Sequence, residues 1–224
     1  MNILDIYDKY QIMPQLAEHM LRVAAVADTI VNNLTLTPTL PQRERGEVVA
    51  ACLLHDMGNV VKFDFSLFPE TAAEKGLEYW ENVKQEFIKR YGTGSHNVTA
   101  KILREIGVSE RVFELADSVG FEQGKDNAES EDYGKKICAY SDMRVLPMGV
   151  GSLEERMEDL RVRYINHREG AKNRKVFENA LREIEKQVFV NCKIRPEDIT
   201  DESIKEKLEI LRNYEIYPTL ISLN

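Results

Sequence analysis

Cysteine is scarce in this chain: three in 224 residues, Cys52, Cys138 and Cys192, far apart and without CxxC spacing. That excludes a disulfide framework and a cysteine-held zinc site, and it fits free thiols in a reducing compartment. Cys52 and Cys138 lie in apolar runs and read as core residues. No run of 18 apolar residues occurs, and the opening MNILDIYDKY lacks a basic segment followed by a long apolar one. Neither a membrane span nor a secretion signal is therefore expected, and a cytoplasmic location is the default. An excess of positive charge is missing too. There are 30 Lys and Arg against 38 Asp and Glu, a formal charge of −8, with bases interleaved among acids as in LREIEKQVF. Such a surface disfavours binding to a nucleic-acid polymer. Alternating strand patterns of useful length are absent, and there are four histidines in all.

What is present is ordinary globular material, 43% hydrophobic and 8% aromatic, enough to bury a sizeable core. Helical periodicity dominates and the expected class is all-α. Pro14 opens a stripe through Leu16, Met20, Val23, Ala27 and Val31 that ends near NNLT, with proline in the first turn. A second helix is expected over 42–57, stopping at Gly58. Thr71 with Glu74 and Ser152 with Glu155 match capping boxes, and Ser95 opens a helix that closes at Gly107. Short helices are expected in SERVFELADSV and GKKICAYSDMRV, and longer ones in RKVFENALREIEKQVFV and DESIKEKLEILRNY. The segment GFEQGKDNAESEDYG, 120–134, reads as a mobile loop. With no clear linker, the expectation is one domain over 1–224, a core of about 10–150 and a helical extension of about 151–224. The stripe Val176, Phe177, Ala180, Leu181, Ile184, Val188 and Phe189 in that extension must be buried against the core or against another subunit, so a homo-oligomer is compatible.

Within CLLHDMGN, an apolar run ends in His55 and Asp56, residue types that a dry core does not tolerate without partners. His19 lies near the start of the first long helix and His55 near the end of the second. If these helices pack antiparallel through the short TPTLPQ connection, each histidine stands roughly 20 Å from the turn and the two share one height. A divalent cation would neutralise the adjacent carboxylate and hold both rings. Asp142, after the apolar run in CAYSDMRV, would supply a fourth donor.

His19, the His55-Asp56 doublet and Asp142 in this order resemble the H…HD…D signature of the HD-domain metal-dependent phosphohydrolase superfamily. EHMLRVAAVA, ACLLHDMGN and SHNVTAKIL resemble its local surroundings, and the resemblance covers about residues 10–150. It implies an all-helical bundle, one divalent ion (Mn²⁺, Fe²⁺, Co²⁺, Ni²⁺, Zn²⁺ or Mg²⁺) held by His19, His55, Asp56 and Asp142, and hydrolysis of a small phosphoester, often a nucleotide. Only His96 falls between the doublet and Asp142, where two-metal members place two histidines, which points to a single ion. Asn59 stands where many members carry Lys or Glu, and Lys62, one turn on, is the nearest substitute. The expected chemistry is metal-assisted: Asp56 orients the attacking water, while Lys62 or Arg22 offsets phosphate charge. A nucleotide diphosphatase, a cyclic phosphodiesterase and a non-catalytic nucleotide-binding regulatory module are the alternatives.

The remaining candidates carry two readings each. His96, at a helix start after YGTGS, contacts phosphate, donates a proton, or is a surface capping residue. Arg22, one turn past His19, reaches a phosphate or pairs with a carboxylate. Arg144 reads more simply as a structural ion-pair residue, and His167 as a loop residue.

Overall fold

A computed structural model describes residues 1–35, 40–65, 75–163 and 171–218. Eleven α-helices lie among them, with one two-stranded antiparallel ribbon that pairs Val145 with Val150 and Leu146 with Gly149. The all-α expectation is met apart from that short ribbon. Helix α1, Ile3–Lys9, has no counterpart in the expectations; the Asn2 side chain caps it, and Tyr7 anchors it by donating to the Leu53 carbonyl at 2.7 Å.

Helix α2, Pro14–Asn33, is the central element, buried at Met20, Val23, Ala24, Ala27, Ile30 and Val31. It packs along α3, Gln42–Leu54, whose buried residues run without a break from Val48 to Leu54. Helix α3 is shorter than expected. It ends at Leu54, His55 to Gly58 form turns, and a 3-10 turn follows over Asn59–Lys62. The reason is a distant contact. Gly58 is not a helix terminator in the left-handed region, since its φ is −94°. A Cβ there would lie 2.5 Å from the Ser95 carbonyl oxygen, and its N–H donates to Thr99 Oγ1 at 2.9 Å. The glycine thus lets the turn after α3 seat directly on α5, Ser95–Ile106.

Helix α4, Leu77–Tyr91, precedes α5; the Thr71 and Glu74 capping pattern lies outside the described residues. Helix α5 closes at Gly107, whose φ of 78° places it in the left-handed region, as expected. Ser109 caps α6, Glu110–Asp117, and Asp132 caps α8, Tyr133–Asp142, which ends at Asp142 instead of running on through Val145. The 120–134 segment contradicts its expectation, for it contains a short helix, α7, Gly124–Glu129. Here glycine marks close approach, not freedom: a Cβ on Gly124 would stand 2.4 Å from a Phe177 ring carbon. Buried Asn127 adds a 2.9 Å hydrogen bond from its Nδ2 to the Ser118 carbonyl.

Ser152 and Glu155 do form the expected reciprocal cap at the start of α9, Leu153–Arg163. Helix α10, Ala171–Phe189, packs on α7 and α8, and α11, Asp201–Leu211, packs on α2. Leu181, Ile184 and Val188 are fully buried, each contributing about 1.5–3 kcal/mol of apolar transfer. Val176 departs from the expected stripe and is exposed. Lys207 with Asp28, and Arg212 with Glu18 at 2.8 Å, fasten α11 to α2.

Candidate functional site

The antiparallel return of α3 along α2 sets His19 and His55 side by side, with ring centroids 5.6 Å apart. His55 caps α3 with helical φ and ψ, and its Nδ1 lies 2.8 Å from the Cys52 carbonyl oxygen. A carbonyl only accepts, so Nδ1 is the donor and Nε2 is the nitrogen left to hold a proton or, in its place, a cation. That Nε2 is buried and has no hydrogen-bond partner. Its nearest polar neighbours are Asp142 Oδ1 at 3.5 Å and Asp56 Oδ2 at 3.6 Å. His19 Nε2 meets the same two carboxylates, Asp142 Oδ1 at 3.0 Å and Asp56 Oδ2 at 3.8 Å. His19, His55 and Asp56 each offer one donor atom within 4.8 Å of the others, and Asp142, at the end of α8, closes on both imidazoles.

The electrostatics point the same way. Burial drives the His55 pKa down, but Asp56 and Asp142 more than offset it and hold the imidazole up at about 9. Asp142 is opposed by its own desolvation, yet the His19 hydrogen bond and the charge of the two neighbouring imidazoles keep it well below the usual carboxylate range. The spot is thus organised around positive charge. An unpaired imidazole nitrogen facing two carboxylates in a buried setting is the donor set a divalent cation takes, so these residues fit a metal.

They line a cavity of about 470 Å³. Asn59 and Lys62 line it too, from the 3-10 turn after the doublet, and Lys62 forms no ion pair among the described residues. His96 lines it from the first turn of α5, with a side chain 58% exposed and Nδ1 3.9 Å from Asp117. Arg22 does not line it. Its Nη2 pairs with Glu18 at 3.2 Å, and its buried Nε lies 3.9 Å from Asp201 at the start of α11, which covers this face of α2. The carboxylate-pairing reading of Arg22 is the one the structure has.

Arg144 is structural, but not the ion-pair residue expected: among the described residues its partners are carbonyls and a hydroxyl. It donates to the Gly151, Pro196 and Ile199 carbonyls and, at 2.7 Å, to the Tyr140 hydroxyl, which donates in turn to Glu185. His167 lies outside the described residues. Sequence reasoning missed a further wall of the cavity, to which α9 and α10 contribute Arg156, Met157, Leu160, Arg174, Phe177 and Glu178. The one signal available was that Arg174 and Phe177 fall three residues apart on one helix face.

A helical chain with clustered imidazoles and carboxylates lining a cavity defines a helical fold with a candidate metal site. The HD domain family model matches residues 16–167, and the chain belongs to that family, a metal-dependent phosphohydrolase superfamily whose members are generally hydrolases. The comparisons with curated proteins and with solved structures found no match.

Proposed function

We propose that the chain hydrolyses a small phosphoester, a nucleotide, with one divalent cation held by His19, His55, Asp56 and Asp142. The observation that carries this reading is the buried, unbonded Nε2 of His55 between two carboxylates that line a substrate-sized cavity. The mixed imidazole and carboxylate donors favour Mn²⁺, Fe²⁺, Co²⁺ or Ni²⁺, with Zn²⁺ and Mg²⁺ also compatible. When bound, the ion supplies Lewis acidity toward a phosphoryl oxygen and the attacking water.

The protein's own groups do the rest. Asp56 orients the water and accepts its proton, Cys52 fixes the His55 ring, and Lys62 offsets charge on the phosphoryl oxygens. His96, which also lines the cavity, donates a proton to the leaving oxygen. The three free thiols support a reducing, cytoplasmic setting.

The test is to deplete the protein of metal, restore each ion separately, and assay phosphate release from nucleoside mono-, di- and triphosphates and from ribose 5-phosphate. Metal-dependent release is expected, and silence with every ion would overturn the reading. His96→Ala should lower turnover about 10²–10⁴-fold with metal content unchanged. Two equivalents in the parent and one in the variant would overturn the single-ion assignment.

A further inference from the structure

The cavity has a second wall that the metal-site residues do not explain. Phe121, in the turn between α6 and α7, is 42% exposed although it lines the cavity, and its ring lies on that of Phe177 with centroids 4.6 Å apart at 35°. Phe177 is 8% exposed and seated on Gly124, so the lower ring is fixed and the upper one presents itself to the cavity. An exposed ring held over a buried one is a platform for a flat, π-bearing group. The platform adjoins the reacting end. Gly120 precedes Phe121, and a Cβ on Gly120 would stand 2.8 Å from His96 Nε2, so the 120–121 backbone abuts the histidine proposed to protonate the leaving group.

The charge on this wall is also unspent. Glu178 is committed to Arg161 through contacts of 2.9 and 3.0 Å. Arg174 forms no ion pair among the described residues, and Arg156 meets Asp159 through Nη1 alone, leaving Nε buried without a partner. In a chain of formal charge −8, an Arg174 guanidinium without an ion pair among the described residues, beside the unpartnered Nε of Arg156, is the electrostatic complement of an anionic ligand.

We propose that Phe121, supported by Phe177, with Arg174 three residues before Phe177 on α10, is the specificity subsite for the leaving group, and that it takes the planar base of a nucleoside. The proposal rests on the phosphohydrolase reading for its substrate but not for its test. A Phe121→Trp variant places an indole on the platform; the chain's own tryptophan, Trp80, is buried and does not line the cavity. Adenosine, which has no phosphate to lose, should quench the new indole emission, whereas ribose 5-phosphate and an alkyl phosphate of similar length should not. In the metal-loaded enzyme, Phe121→Leu should cut the kcat/KM preference for a nucleoside monophosphate over ribose 5-phosphate roughly tenfold, the loss expected for one base–aromatic stack. Arg174→Gln should raise KM for the nucleotide and leave kcat near the parent value. Quenching by the alkyl phosphate and not by adenosine, or a preference unchanged in Phe121→Leu, would overturn the subsite. A protein that binds adenosine on the indole but releases no phosphate with any ion keeps the subsite and loses the proposed activity. One that releases phosphate without adenosine quenching loses the subsite alone.

Discussion

Where His19, His55, Asp56 and Asp142 line the cavity the side chains crowd one another, and on the wall that carries Arg174 and Phe121 they do not. His55 is wedged between the Cys52 carbonyl and two carboxylates, and Asp142 meets both histidines. Arg174 has no ionic partner among the described residues, and the Phe121 ring stands partly exposed over Phe177. The first arrangement is preorganised, with ring orientations fixed before any ligand arrives, as charge stabilisation requires. The second holds bonding capacity in reserve, as recognition of a variable group requires. The first rests on α2, α3 and α8 packed against each other, whereas the wall rests on α10 packed on α7 and α8, with Phe177 in close contact with Gly124.

Substitutions in the two supports should therefore differ in size. Behind the four clustered residues, Arg144 ties the end of α8 to the Gly151, Pro196 and Ile199 carbonyls and to Tyr140. Arg144→Ala strands those buried acceptors and should cost about 3–5 kcal/mol of unfolding free energy in urea. A loss under about 1 kcal/mol would mean that this scaffold is not what holds Asp142 in place. Behind the wall, Gly124→Ala pushes a methyl into the Phe177 ring and should cost about 1–3 kcal/mol while weakening nucleotide KM. An unchanged melting temperature together with an unchanged KM would show that the platform does not depend on this contact.

The smallest expected effect belongs to Asp132, which caps α8 and takes two hydrogen bonds from Arg111, a residue also paired with Glu44 on α3. Burial works to raise the Asp132 pKa, but the hydrogen bonds from Arg111 and the Lys135 N–H keep it below the usual carboxylate value. A folded pKa below the unfolded one stabilises the fold above about pH 3.9, and that contribution disappears as the pH falls through the folded value. Asp132→Asn should thus be less stable than the parent by about 1 kcal/mol near neutrality, with the gap closing in acid. A gap constant down to the acid limit of folding would contradict the pairing.

The same contrast governs what could be read in the sequence. His19 sits on the inward face of a helix with a clean apolar stripe, His55 and Asp56 end an apolar run, and Asp142 ends another; each position is fixed by local pattern, and the clustering of these four was legible. The break of α3 at Leu54 was not, because it depends on Gly58 meeting the backbone of α5, more than thirty positions further along the chain. In 120–134 the glycines looked like freedom, whereas Gly124 is there so that Phe177 can approach. Arg22 shows the limit of local spacing: one turn from His19, it lies on the face that α11 covers, which no pattern within α2 announces. Phe177 read as part of a stripe to be buried, and only the fold brings it and Arg174 to the cavity.

The most direct test of the central claim is metal content, measured by elemental analysis after equilibration with Mn²⁺ and removal of free ion. The four-residue centre predicts close to one equivalent per chain in the parent, and only background in His55→Ala and Asp56→Ala variants that remain folded by circular dichroism. Equal metal in the parent and in both folded variants would contradict it.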